Sequence, residues 1–338
     1  MLFGRPSGSA GSAPAGRRNL TARLDPSERV FRAIARAGGA VVLVLMGLVG
    51  TFLAYRAWEA LRKAGLSFIT TQDWNPNGGG FGIAAIIVGT ILIGLIAVAV
   101  AVPLALGTAL YISEYAPRQF QRGLITLIDL MAAVPSVVYG LWGAFLLQWH
   151  VVSVSRWINN WFGWIPIFKV DDVTRHAVQP TATFYTSSSF IAGLVVGLMI
   201  TPIASSIMRE AFSQAPVGER EGALALGATR WGMIRSVVLP FGRGAMIGGT
   251  MLGLGRALGE TIAVVMIISP VFHIQPYILE HGTSSVSSLI ALQYLEATPF
   301  AVSALMAAGL ALFALTLLVN FIAAHFVTRS RSGALSEI

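Results

Sequence analysis

Apolar residues along the chain gather into six long blocks, 37–54, 81–112, 124–149, 190–208, 246–271 and 300–327, separated by shorter polar segments. Each block is long enough to cross a hydrocarbon core of about 30 Å. Backbone groups in lipid must find their hydrogen-bond partners within the segment, so the pattern predicts an all-α, polytopic membrane protein with six transmembrane helices. One interruption differs in kind. Residues 209–243 are too polar to cross a bilayer but carry helix signals. Glu219, Arg220 and Glu221 precede Ala223, Leu224, Ala225 and Leu226, with Pro216 placed for a first turn and Gly227 for a left-handed end. Thr229 is placed to cap a second short helix over 230–238, which Leu239 and Pro240 are expected to stop. Such a pair suits docking against a partner in the water phase; an ordinary amphipathic connector would have the same composition.

Composition agrees with the pattern. Of 338 residues 55% are hydrophobic and 11% charged, and the mean hydropathy is +0.72, well outside the range of soluble domains. Sixteen of the 23 Lys and Arg residues fall on the side that holds both termini, which the positive-inside rule places in the cytoplasm. The net charge of +8 follows from that bias and implies no nucleic-acid partner. The absence of cysteine excludes disulfides, thiolate metal sites and Cys nucleophiles. Residues 1–28 have the composition of a disordered cytoplasmic tail rather than a signal peptide, 29–328 form the membrane domain, and 329–338 a short cytoplasmic tail.

Candidate chemistry lies within the blocks. Arg256 and Glu260 stand four residues apart in the fifth, on one face of a continuous helix, where they can pair near mid-membrane. A structural ion pair is one reading. The other is an anion site, in which the guanidinium fork suits phosphate and Glu260 holds it until an anion arrives. Glu260 could also accept a proton from phosphate, which sulfate lacks at neutral pH. In the third block Pro135 should break the helix and bring the hydroxyls of Ser136 and Tyr139 to a polar pathway, unless they only serve a packing kink; Asp129 reads as an intramembrane acid. Pro103 and Pro202 predict kinks. Trp74 and Phe81 read as interface anchors, and Trp157, Trp161 and Trp164 as part of a surface-lying segment in an outside loop, 150–188. His150 and His176 do not make a metal site by themselves.

The order Glu221, Gly222, Ala223, then Gly227, Val237, Leu239 and Pro240 resembles the EAA loop of ABC importer permeases, with Gly222 and Val237 departing from its Ala and Ile. LGLGRALGETIAV (252–264), AAVPSVVYGLWG (132–143) and the order Trp74-Asn75-Pro76, Phe81-Gly82, Gly89-Thr90 are similar to the PstC family of phosphate importer permeases, over about residues 30–328. The resemblance implies a type I ABC importer permease fold of the MetI-like kind in a bacterial inner membrane. It further implies ATPase contacts through Glu221, Gly222, Ala223, Gly227, Leu239 and Pro240, and a substrate pathway through Arg256, Glu260, Ser136 and Tyr139. The implied partners are a PstA-type permease, two copies of a PstB-type ATPase, a PstS-type extracytoplasmic binding protein, phosphate and membrane lipid. The chain itself carries no P-loop, no catalytic constellation and no motif for a metal or cofactor, so the resemblance describes a transport subunit rather than an enzyme. Sulfate, molybdate or phosphonate are the alternative cargoes, and a passive anion channel the alternative mechanism.

Overall fold

The computed structural model describes residues 26–170 and 182–330, with side chains up to residue 325. The chain divides into two units at Val49 and Gly50. In the first unit the described residues are the start of α1 (Pro26–Ala64), where Arg32 and Glu28 form an i,i+4 ion pair at 2.6 Å and the apolar side chains from Val41 to Val49 are mostly exposed. The expected tails fall almost wholly outside the described residues.

The second unit holds the remaining elements. After α1 come α2 (Ser67–Thr70), a hairpin of β1 (Trp74–Asn75) and β2 (Gly80–Phe81), α3 (Ala84–Leu110), α4 (Arg118–Ala133), α5 (Ser136–Trp142) and α6 (Gln148–Phe162). Then follow α7 (Ser189–Ser213), α8 (Val217–Ala225), α9 (Arg230–Met233), α10 (Leu239–Leu258), α11 (Ile262–Ile267), α12 (Val286–Gln293) and α13 (Pro299–Ser330). Among the described residues six helical runs are long and apolar enough to cross a membrane: Pro26–Ala64, Ala84–Tyr115, Ser136–Phe162, Ser189–Ser213, Arg230–Leu258 and Pro299–His325. The helices through Pro103 and Pro202 continue without interruption.

The centre of the unit is the pair α3 and α7. A methyl at Gly193 would meet Ile96 Cβ at 2.5 Å, and one at Gly197 would meet the Ala97 carbonyl oxygen at 2.9 Å, so glycine lets the two helices approach closely. Ile93, Ala97, Val195, Val196, Met199 and Ile200 fill the seam, and Ala257, Val264 and Ile267 pack on it from α10 and α11. A second core joins the hairpin to α13, with Phe81 edge-on to Phe68 at 6.0 Å and to Phe300 at 5.4 Å.

Five expectations are corrected. The third span runs from Ser136 to Phe162, not over 124–149. Val134 is extended, as the residue before a proline prefers, so Pro135 separates α4 completely and lies at the start of the span. The apolar residues Leu127, Leu130 and Met131 form an exposed stripe on amphipathic α4, and Asp129 is exposed on that helix rather than inside a span. The fifth block is not one helix over 246–271, because α10 ends at Leu258 and α11 begins anew at Ile262. Leu239 and Pro240 do not stop the helix that begins at Arg230: a π turn, Ile234–Val238, carries it into α10 and makes room for a residue without an N–H. Trp74 and Phe81 are buried partners across the hairpin, not interface anchors, and Trp74 Nε1 donates to Gln293 Oε1 at 2.5 Å.

Candidate functional site

The sequence LGLGRALGETIAV folds as helix, break, helix. Gly259 leaves the helical path, the Glu260 N–H reaches only the Ala257 carbonyl at 3.3 Å, and the first turn of α11 starts with free amides. Glu260 takes one of these: its Oε1 accepts from the Ala263 N–H at 3.2 Å. A carboxylate at a helix start is favoured by the unpaired N–H groups there. The expected Arg256–Glu260 pair is therefore not formed. The break between the two residues removes the i,i+4 geometry that a continuous helix would have supplied.

Arg256 instead faces a cavity of about 510 Å³ lined by Ile203, Met251, Leu252, Gly255, Thr316 and Asn320. Its side chain is exposed, and among the described residues it has no ion-pair partner. Thr316 and Asn320 come from α13, and Asn320 Oδ1 would lie 3.9 Å from a methyl placed on Gly255. A guanidinium and an amide beside a partly apolar hollow can donate to an oxyanion from two sides, while the Thr316 hydroxyl donates to the Phe313 carbonyl at 2.8 Å. Thr316 and Asn320 carry no motif, and only their spacing of four on the last helix, which puts two polar groups on one face of an apolar span, could have signalled them.

The break at Pro135 lies at the same level. A methyl on Gly140 would come within 2.8 Å of Ala263 Cα, and one on Gly143 within 2.9 Å of Ile267 Cδ1. Both contacts advance in the same direction, so α5 and α11 run parallel, and Ser136 falls level with Gly259 and Glu260. The start of α5, which the sequence signals through Pro135, and the start of α11, which it does not, are thus brought together by one glycine-mediated seam. Tyr139 has a different part: its hydroxyl donates to the Met131 carbonyl at 3.0 Å, tying α5 back across the break to α4.

A polar element without a recognisable motif closes the region from the hairpin side. In TSSVSS (283–288) Thr283, Ser284, Ser285, Ser287 and Ser288 are all buried. Ser285 and Ser288 form a capping box at the start of α12, and Ser287 Oγ donates to the Leu258 carbonyl, 3.4 Å away, at the end of α10. Thr90 Oγ1 accepts from the Val286 N–H at 3.0 Å, Ser189 Oγ donates to Thr283 Oγ1 at 2.9 Å, and a methyl on Gly89 would meet the Ser284 carbonyl oxygen at 2.1 Å. Gly89-Thr90 and the hydroxyl run are the legible halves of this contact. His150 is spent locally, its Nδ1 lying 2.7 Å from the Leu146 carbonyl oxygen, while His176 lies outside the described residues.

The other predicted surface is α8 with the turn after it. Gly227 has φ +86°, its N–H donates to Leu224, and the Ala228 N–H donates to Ala223, which together close the helix in a Schellman turn as expected. Thr229 then caps α9 by accepting from the Gly232 N–H at 3.1 Å, also as expected. Glu221, Gly222, Leu224 and Leu226 are exposed, Leu226 by 91%, whereas Ala223 packs inward on a core that includes Met208, Phe212 and Ile234. Leu239 is half-buried against that core and Pro240 is exposed on the far side of the π turn.

Residues 101–332 match the family described as binding-protein-dependent transport system inner membrane component. The chain is 38% identical over 297 residues to "Phosphate transport system permease protein PstC 2" of Mycobacterium tuberculosis, covering 87% of this chain and 89% of that one. It is 37% identical over 319 residues to "Phosphate transport system permease protein PstC" of Xylella fastidiosa strain 9a5c, covering 94% and 95%. Among solved structures it is similar in fold to a bacterial ABC transporter involved in alginate import, with a TM-score of 0.53 at 20% identity, covering 89% of this chain and 99% of that one. An inward-facing MetNI methionine ABC transporter gives 0.51 at 12% identity, covering 73% and 95%.

Proposed function

Because the chain belongs to the family of binding-protein-dependent transport system inner membrane components, we propose that it is the permease subunit of an ATP-driven importer that carries inorganic phosphate into the cytoplasm. The observation that carries the site assignment is the Arg256 guanidinium, free of any carboxylate partner among the described residues and open to the cavity shared with Thr316 and Asn320. An anion that enters meets a permanent positive charge with a planar fork of donors, and the Asn320 amide of α13 adds a further donor for tetrahedral oxyanions. Glu260 shapes the site by starting α11, and Ser136 lines the same level from α5.

In this reading both termini and the α8–α9 loop are cytoplasmic and the hairpin is extracytoplasmic, in accord with the distribution of Arg. The free energy of ATP hydrolysis enters through a separate ATPase of the PstB type, two copies of which serve this chain and a PstA-type permease. A PstS-type protein delivers phosphate on the opposite side. Exposed Leu224 and Leu226, flanked by Glu221, offer the ATPase an apolar face with a charged rim. Alternating access then consists of opening the Arg256 cavity to one side or the other.

The test is uptake of labelled phosphate by the reconstituted four-component complex carrying Arg256→Gln. Loss of one charged donor is expected to lower uptake about 100-fold while assembly and ATP hydrolysis persist. Uptake at the wild-type rate would remove Arg256 from the pathway. Competition by sulfate and molybdate in the same assay checks the cargo: phosphate uptake that excess sulfate abolishes would overturn the phosphate reading.

A further inference from the structure

One buried ion pair lies outside this site and has no part in anion binding. Glu114 stands in a π turn, Tyr111–Tyr115, that ends the second span, and its side chain is 4% exposed. Arg220 of α8 meets it with Nη2 3.2 Å from Oε1 and Nη1 donating to Oε2 at 3.4 Å. The same guanidinium donates through Nη2 to the carbonyl of Phe212, a fully buried residue in the last turn of α7. Arg220 therefore fastens the loop helix to two spans at once, α3 through Glu114 and α7 through Phe212.

Those two spans are the ones that Gly193 and Gly197 bring into close contact, so α3 and α7 behave as one block. Further ties surround the junction. The Arg230 guanidinium lies 5.4 Å from the Tyr115 ring centroid, and Gln121 Nε2 donates to the Ile112 carbonyl at 2.7 Å, holding α4 to the same π turn. On α8 the residues facing outward are Glu221, Gly222 and Leu224, while Arg220 and Ala223 turn toward the spans. One side of a short helix is thus free for a partner and the other is pinned to the block by a charge that cannot be left unpaired without a large penalty.

We propose that the Glu114–Arg220 pair is the energy-coupling strut of the transporter: it stays closed through the cycle and transmits displacement of α8 to α3 and α7 together. The inference rests on the importer reading above. Both are positioning residues that touch neither phosphate nor ATP. Without the strut α8 still docks and the ATPase still turns over, but its movement is no longer delivered to the spans.

The experiment measures phosphate imported per ATP hydrolysed in the reconstituted, assembled complex, for wild type, Glu114→Gln, Arg220→Gln and Arg220→Lys. The ratio is expected to fall at least about fivefold in the two Gln variants with hydrolysis largely retained, and to be partly restored in Arg220→Lys, which keeps the charge but loses the second donor arm. An unchanged ratio in both Gln variants would overturn the strut. So would a parallel fall of uptake and hydrolysis together with loss of assembled complex in all three variants, which would make the pair a fold brace. A wild-type complex that imports no phosphate with ATP would instead sink the importer reading on which the strut depends.

Discussion

The two ends of α3 solve opposite problems. At the hairpin end, polar groups are turned inward and matched within the chain: the hydroxyls of TSSVSS satisfy the start of α12, the end of α10 and each other, and Gly89 lets the Ser284 backbone rest on α3. At the loop end, polar and apolar groups are left outward, with Glu221, Leu224 and Leu226 of α8 exposed and only Arg220 and Ala223 committed to the core. The first end is complete in one chain. In the proposed importer an ATPase covers the second, and the division separates residues expected to govern stability from residues expected to govern coupling.

The comparison breaks most readily at Gly89. Gly89→Val forces side-chain atoms against the Ser284 carbonyl and should lower stability by about 3 kcal/mol, seen as a fall in Tm of the detergent-solubilised complex. An unchanged Tm would show that the hairpin end is looser than its hydrogen bonds imply. At the loop end the expected effect is smaller and of another kind. Leu226→Asp should leave Tm unchanged but weaken ATPase binding about tenfold, equivalent to about 1.4 kcal/mol, measurable by titrating the ATPase onto the permease pair. The smallest effect has the opposite sign. A methyl on Gly222 would meet nothing within 4 Å, so Gly222→Ala should raise stability by about 0.5–1 kcal/mol through helix propensity alone. A fall in Tm there would mean that Gly222 is sterically required within this chain.

Features set by neighbours in sequence were readable in advance. The number of spans, the break at Pro135, the Gly227 turn and the Thr229 cap each follow from a few adjacent residues. What was missed depends on contacts from far along the chain. Trp74 looks like an interface residue until Gln293 takes its indole N–H, and the α10–α11 break is met by Ser287, which approaches Leu258 from beyond a turn. The start of the third span is not legible in the sequence because the stripe on α4 and the core of a span share a composition, and only three-dimensional placement separates them. Pro240 looks like a helix stop, but a π turn, which carries no sequence signature, absorbs it. In the candidate site Arg256 was legible as a charge in an apolar block, but its companions Thr316 and Asn320 were not, since they belong to a different helix.

The exposed Arg256 has a consequence for insertion of the chain in the membrane. Among the described residues no carboxylate pairs with the Arg256 guanidinium, so a copy inserted alone carries that charge uncompensated, at a cost of about 2.5–3.5 kcal/mol toward the bilayer centre. In the proposed importer the same charge serves transport, so the group that favours anion entry in the assembled complex makes a lone copy less well seated in the bilayer.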